Sequence, residues 1–275
     1  MPETISPDEL LASLAARFAA IPEVQAVTLS GSVVAGAGDA WSDIDVVVYT
    51  TNDIALTQRR TIAHAYADQI EIDNRFFEPG DEWITRDNRS VDIMYRSPEW
   101  IQQQLERVLI HHQASLGYTT CFAFNVQTSR CYYDPTQWFA RLQDITAQPY
   151  PLTLQRAIVA MNYPLLRTTQ SSYLHQVDLA IRREDVVSVN HRLSAIFASY
   201  FDILFAVNRL LHPGEKRLIA YAQQHCALLP DGMANDILAL IHAMSDLRES
   251  DLLGHLHHLC AALQQVLQQE KLLPI

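Results

Sequence analysis

Asp43 and Asp45 stand two apart in the run Asp-Ile-Asp-Val-Val-Val-Tyr, a short distance after Gly31-Ser32. The β-branched run reads as a strand, where alternate side chains share a face. Both carboxylates then point one way, and Ile44 and Val46 point the other. Two like charges at that spacing repel unless something neutralises them. A hard divalent cation such as Mg²⁺ does so with oxygen ligands. Val47 and Tyr49 follow on the Asp face, so the polarity is confined to the beginning of the strand. Gly31 and Ser32 supply small residues at a turn. Such a turn lets backbone N–H groups approach an anion, and a following helix N-terminus favours phosphate. The Ser32 hydroxyl adds a donor. A phosphate cradle ahead of paired carboxylates suits phosphoryl transfer from a metal–nucleotide complex.

Asp92, in Ser-Val-Asp-Ile-Met-Tyr, is the natural third carboxylate. It completes a metal cage or acts as a base toward an acceptor hydroxyl, provided its strand neighbours that of Asp43. Glu71 and Asp73 alternate with Ile70 and Ile72 and are candidates to line an acceptor pocket. Each residue also has a plainer reading. Carboxylates on an edge strand face solvent and discourage aggregation, and Gly31 can simply relieve a turn. No GxxxxGK[ST] and no dinucleotide fingerprint occurs.

The elements that would position these residues can be read in order. Ser6, Pro7 and Glu9 resemble an N-cap, N1 and capping-box partner, followed by Leu10, Leu11, Leu14, Phe18 and Ile21 at helical spacing. Strands are predicted over 24–29, 43–49, 69–77 and 91–95, with helices over 57–67 and from Ser97-Pro98-Glu99 to about 110. Pro79-Gly80-Asp81 reads as a turn. Residues 117–133 are ambiguous, with a helix and loop leading out of the sheet domain as one reading, and 137–146 reads as a short helix. After Pro151 no strand pattern appears. Helices are predicted over 152–166, 171–183, 185–211, 215–224, 231–247 and 251–270, punctuated by Pro213-Gly214 and Pro230-Asp231-Gly232. The expected fold is α+β, a mixed sheet followed by a helical bundle, divided into domains 1–120 and 121–275.

In the helical half, His191, Asp202 and Arg209 fall near one angular position of a continuous helix. A polar group buried there must be paired. One reading is a structural network; the other is a face that binds nucleotide or acceptor. Lys216 and Arg217 follow a helix start and are candidates to reach a triphosphate. His111-His112 and His255 to Cys260 lack the paired spacing of a zinc site. Trp41, Trp83 and Trp100 fit base stacking or packing equally.

The bulk properties narrow the class. The 275 residues are 49% hydrophobic with a net charge of −11, which suits a folded protein and argues against long nucleic acids as partners. Cys121, Cys131, Cys226 and Cys260 form no CxxC pair, as expected of free thiols in a reducing compartment. No signal peptide and no apolar run of membrane-spanning length is seen, so a cytoplasmic protein with no membrane partner is expected.

Gly31-Ser32, then Asp43-Ile44-Asp45-Val46-Val47-Val48, then Val91-Asp92-Ile93 together resemble the signature of the nucleotidyltransferase superfamily related to DNA polymerase beta. The layout with a helical C-terminal half is similar to the bacterial aminoglycoside-type and small-molecule nucleotidyltransferases. The resemblance covers about residues 29–95. It implies that Gly31 and Ser32 contact the triphosphate, that Asp43 and Asp45 hold Mg²⁺, and that Asp92 is a metal ligand or general base. The implied reaction moves a nucleoside monophosphate, AMP from ATP, to a hydroxyl of a small molecule or protein. The alternatives are a catalytically silent nucleotide-binding module and a toxin–antitoxin-type partner protein.

Overall fold

The computed structural model describes residues 7–31, 43–76, 78–247 and 250–273. The protein is α+β, with a six-stranded mixed sheet in its N-terminal half and, among the described residues, only helices after Tyr133. By contacts it divides into two compact units that are not contiguous in sequence. One takes its residues from Met1–Glu106 and Phe122–Gln148, the other from Arg107–Cys121 and Pro149–Ile275.

In the sheet unit, α1 (Pro7–Ala19) precedes β1 (Val24–Ser30) and β2 (Ile44–Thr50). Helix α2 (Leu56–His64) then leads to β3 (Ala67–Asn74), β4 (Gly80–Thr85) and β5 (Ser90–Arg96). Helix α3 (Pro98–Leu105) follows; it is capped by the Ser97 hydroxyl and runs on through a π-helical turn over Glu106–Ile110. Helix α4 (Cys121–Thr128), β6 (Arg130–Tyr133) and α5 (Trp138–Thr146) complete this part of the chain. The strand order is β3-β4-β5-β2-β1-β6. Every neighbouring pair is antiparallel except β2 and β5, which run parallel. A parallel neighbour needs a crossover, and α2 with the β3–β4 hairpin supplies it.

The alternation in β2 decides what each face does. Ile44, Val46 and Val48 join Val91, Ile93 and Trp83 in one apolar core. Leu10, Leu11, Leu14 and Phe18 of α1, at i, i+1, i+4 and i+8, cover that core. The opposite face carries Asp45, Val47 and Tyr49, and Tyr49 packs against Trp138 and Phe139 of α5, with ring centroids 5.2 and 5.4 Å apart. Val46, Val47 and Val48 are all fully buried because β2 is covered on both faces there. Two strands escaped the sequence reading. Pro79-Gly80-Asp81 does turn the chain, but β4 starts within it at Gly80; the ambiguous segment 117–133 holds the helix over Cys121–Thr128, and β6 stands where a loop was the reading.

The helical unit contains α6 (Leu152–Arg167), α7 (Tyr173–Arg182), α8 (Val186–Val207), α9 (Leu218–His225), α10 (Met233–Ala243) and α11 (Leu252–Gln269). From Ser199 to Val207 every residue of α8 is buried, so it is the central helix of its unit. Leu193, Ile196, Tyr200 and Leu204 share a core with Val159, Leu166, Val177, Leu240, Leu259 and Leu263. Asp202, within that buried stretch, accepts from the Thr119 backbone N–H at 2.9 Å and from the Thr119 hydroxyl at 2.6 Å. Asn162 adds a longer contact of 3.4 Å. His191 and Arg209 lie elsewhere: both are exposed, and Arg209 follows the helix with φ +56°. The polar group on α8 is therefore a structural network, tying residues 115–120 to α6 and α8.

Candidate active site

The register of the sheet assembles the site. Ser30 lies opposite Asp45, Asp45 opposite Asp92, Asp92 opposite Glu82, and Glu82 opposite Glu71. Residues paired across strands share a face. One row across β1, β2, β5, β4 and β3 thus reads Ser-Asp-Asp-Glu-Glu. Strands are about 4.8 Å apart. At about 5 Å and an effective dielectric near 20, two ionised carboxylates repel by about 3 kcal/mol. Such a row is unfavourable for neighbouring ionised carboxylates unless an opposite charge or hydrogen bonds offset them. Asp45 and Asp92 are half-buried, whereas Glu82 and Glu71 are exposed.

Gly31 closes one end of the row. It follows β1 with φ +77°, and a Cβ built there would overlap the Asp45 carboxylate oxygen Oδ2. Both the left-handed backbone and the close approach require glycine. The phosphate cradle expected at Gly31-Ser32 is thus described only at Gly31. Ser32, with Trp41 and Ser42, lies outside the described residues. Asp43 is half-buried just ahead of β2, two residues before Asp45, and so does not itself pair across the sheet.

Glu71 and Asp73 part company. Glu71 stands on the acidic row. Asp73 sits at an irregularity in the β3–β4 register, with φ +67°, and turns to other partners. Its carboxylate meets Arg75 at 3.1 Å and Arg59 at 3.8 Å, and its N–H donates to Asp81 at 2.9 Å. Asp81 is fully buried and pairs with Arg59. It also accepts from the Tyr95 hydroxyl at 2.7 Å, while Arg59 donates to the Gly80 carbonyl at 3.1 Å and lies over the Tyr95 ring. Burial alone would lower the Arg59 pKa, but the Asp81 hydrogen bond and charge outweigh it and raise it. This network pins the beginning of β4, and with it Glu82, under the row.

A cavity of about 180 Å³ lies on the acidic face, lined by Asp45, Asp92, Glu82, Glu78, Asn74 and Met94 among others. Small-molecule pockets usually measure about 300–1,000 Å³, so this one suits a phosphate-sized group, not a whole nucleotide. Asn74 donates to Glu82 at 2.7 Å. Arg96, on the same face as Asp92 and Met94, donates to Glu78 through Nη2 at 2.8 Å and Nε at 3.2 Å. Its guanidinium lies over the Trp100 and Phe122 rings. Burial pulls the Arg96 pKa down, and the Glu78 carboxylate more than restores it. Burial drives the neighbouring Tyr49 hydroxyl up to about 12, opposed by the Arg96 charge.

The donor chemistry of Asp43, Asp45 and Asp92 is all hard oxygen, which fits Mg²⁺. Among the described residues, however, no group of three or more His, Cys, Asp or Glu side chains is gathered closely enough to hold a metal ion. Lys216 belongs to the helical unit. It is an exposed turn residue ahead of α9, not a residue of its first turn, because Arg217 takes a left-handed backbone and the helix begins at Leu218. Trp83 is 1% exposed and stacks on Tyr66, which makes it a packing residue. Sequence reasoning missed Glu82 and Arg96. Glu82 was hidden by the turn reading of Pro79-Gly80-Asp81, although the alternation Asp-Glu-Trp-Ile-Thr was there to be seen.

No family model matches the chain, and no curated protein matches it. Sixteen solved chains match in structure. One is a nucleotidyltransferase-like protein from Exiguobacterium sibiricum, 12% identical over 96% of this chain and 76% of its own, with a TM-score of 0.44. An aminoglycoside 6-adenyltransferase from Bacillus subtilis is 9% identical over 98% of this chain and 92% of its own, with a TM-score of 0.32. The Thermotoga maritima CCA-adding enzyme, solved with tRNA, is 11% identical over 98% and 83%, with a TM-score of 0.32.

Proposed function

We propose that the protein is a nucleotidyltransferase that moves a nucleoside monophosphate, AMP from ATP, to a hydroxyl of a small molecule or protein. The observation that supports this best is the in-register pair Asp45–Asp92 with the Gly31 backbone packed against the Asp45 carboxylate. Asp43 and Asp45, with Asp92 beside them, would hold Mg²⁺. When bound, Mg²⁺ would screen the phosphate charge and polarise the α-phosphorus. Gly31, and with it Ser32, would contact the triphosphate through backbone N–H groups. Asp92 takes the proton of the acceptor hydroxyl. The acceptor oxygen bonds to the α-phosphorus as the bridging oxygen to the β-phosphorus departs, so pyrophosphate leaves with the bonding pair.

Other features accord with this reading. The four cysteines are free, as suits a reducing cytoplasm. No helix among the described residues is long and apolar enough to cross a membrane. The net charge of −11 disfavours a long nucleic acid as acceptor. A second reading is a nucleotide-binding module without turnover, against which the presence of Asp43, Asp45 and Asp92 argues.

The test is incubation with ATP labelled at the α-phosphate, Mg²⁺ and a panel of hydroxyl acceptors, reading label transfer and pyrophosphate. The wild type should transfer label. Asp45→Asn should lose about a thousandfold or more in rate, the loss typical of removing a catalytic charge, with an unchanged circular dichroism spectrum. Bound nucleotide without label or pyrophosphate release from any acceptor would favour the silent module.

A further inference from the structure

The cavity on the acidic face is lined by carboxylates, and a phosphate group entering it needs cations. Arg96 does not itself line the cavity but stands directly behind its wall. Its guanidinium touches two residues of the lining, Glu78 and Met94, with Nη2 3.6 Å from the Met94 sulfur. The side chain therefore lies against Met94, its neighbour on the same face of β5. The Arg96 side chain is 9% exposed and that of Glu78 is 40% exposed. Glu78 is thus the solvent-side half of the pair, carried on the short connection between β3 and β4. It accepts from two guanidinium nitrogens, the fork geometry that also matches a phosphate. The guanidinium also lies over the Trp100 and Phe122 rings, 5.6 and 5.5 Å from their centroids, contacts that do not involve Glu78.

We propose that Arg96 is a phosphate-binding residue whose resident counterion, Glu78, is displaced when one phosphate group of a nucleotide's triphosphate enters the cavity. The proposal rests on the nucleotide reading above and adds to it a named cation and an exchangeable carboxylate. Glu78 then acts as a stand-in anion that keeps a buried cation neutralised between turnovers. A buried charge left without a partner is costly, so the exchange of one anion for another is what makes the site reversible.

Equilibrium binding of an ATP analogue with a non-cleavable α–β bridge, and separately of inorganic tripolyphosphate, both with Mg²⁺, tests this. Glu78→Gln should bind either probe about three- to tenfold more tightly, because the competing charge is gone. Arg96→Gln should weaken both by about tenfold or more, and Arg96→Lys should recover part of the loss. Where Arg96→Gln fails to fold, the comparison is made in Arg96→Lys. Weaker or unchanged binding in Glu78→Gln, or a tightening that is equally large in the Glu78→Gln/Arg96→Lys double variant and so comes from the lost wall charge alone, would overturn the proposal. If the probes bind wild type and lose affinity in Asp45→Asn while Glu78→Gln behaves as wild type, the nucleotide reading stands and this inference alone falls. If no probe binds wild type or Glu78→Gln, both fall.

Discussion

Gly31→Ala isolates the contact on which the site depends. Two separate costs follow from the structure. The first is backbone strain: at φ +77° an L-residue pays about 1–2 kcal/mol over glycine. The second is steric, since the new methyl would overlap Oδ2 of Asp45 and force that side chain off its position, at about 0.5–1.5 kcal/mol. Together they destabilise the sheet unit by about 1.5–3.5 kcal/mol. Gly232→Ala is the matched control. It has φ +70°, and its Cβ would meet only the ends of the Asp236 and His258 side chains, at 3.3 and 3.4 Å. It should show the strain and little more. The four tryptophans all precede residue 139, so tryptophan emission during urea unfolding follows the sheet unit and circular dichroism follows the helices. Gly31→Ala should lower the emission midpoint and slow pyrophosphate release by a hundredfold or more, because the displaced carboxylate no longer aligns with Asp92. Gly232→Ala should leave turnover intact. A Gly31→Ala protein with wild-type turnover would refute the claim that this close approach sets the carboxylate geometry.

Two further outcomes concern the buried charges. Burial raises the Asp202 carboxyl to about 7, against the opposing pull of its Thr119 hydrogen bonds; an unfolded Asp titrates near 3.9. Since the folded pKa is the higher, this group's stabilising contribution is full below about pH 4 and is lost as pH rises through 7, a change of order 4 kcal/mol at most. The urea midpoint of the helical unit should therefore depend on pH between 4 and 7, and Asp202→Asn should flatten that dependence; an identical slope in the variant would remove Asp202 as its source. In the sheet unit, Asp81→Ala strands the buried Arg59 and should cost about 3–5 kcal/mol, read from the emission midpoint. A loss below 1 kcal/mol would mean that Arg59 finds water or Asp73 instead.

The local chemistry was legible from the chain. β-Branched residues around Asp43 and Asp45 specify a strand, and alternation makes Ile44, Val46 and Val48 the core face whatever lies around them. Helical spacing in α1 and after Pro151 likewise announces which sides must be buried, because the apolar period is a property of neighbouring residues. What could not be read was pairing between distant segments. The parallel register of β2 with β5 sets Asp45 beside Asp92, 47 residues away, and only the assembled sheet decides it. The same register brings in Glu82, while the irregularity at Asp73 turns that carboxylate from the acidic face to Arg59. Asp202 was visible as a polar break in an apolar helix, but its partner, Thr119, lies 83 residues earlier. A one-residue slip in a strand exchanges its faces without altering its composition, so the identity of the charged row depends on tertiary contacts even though each of its members is plain in the sequence.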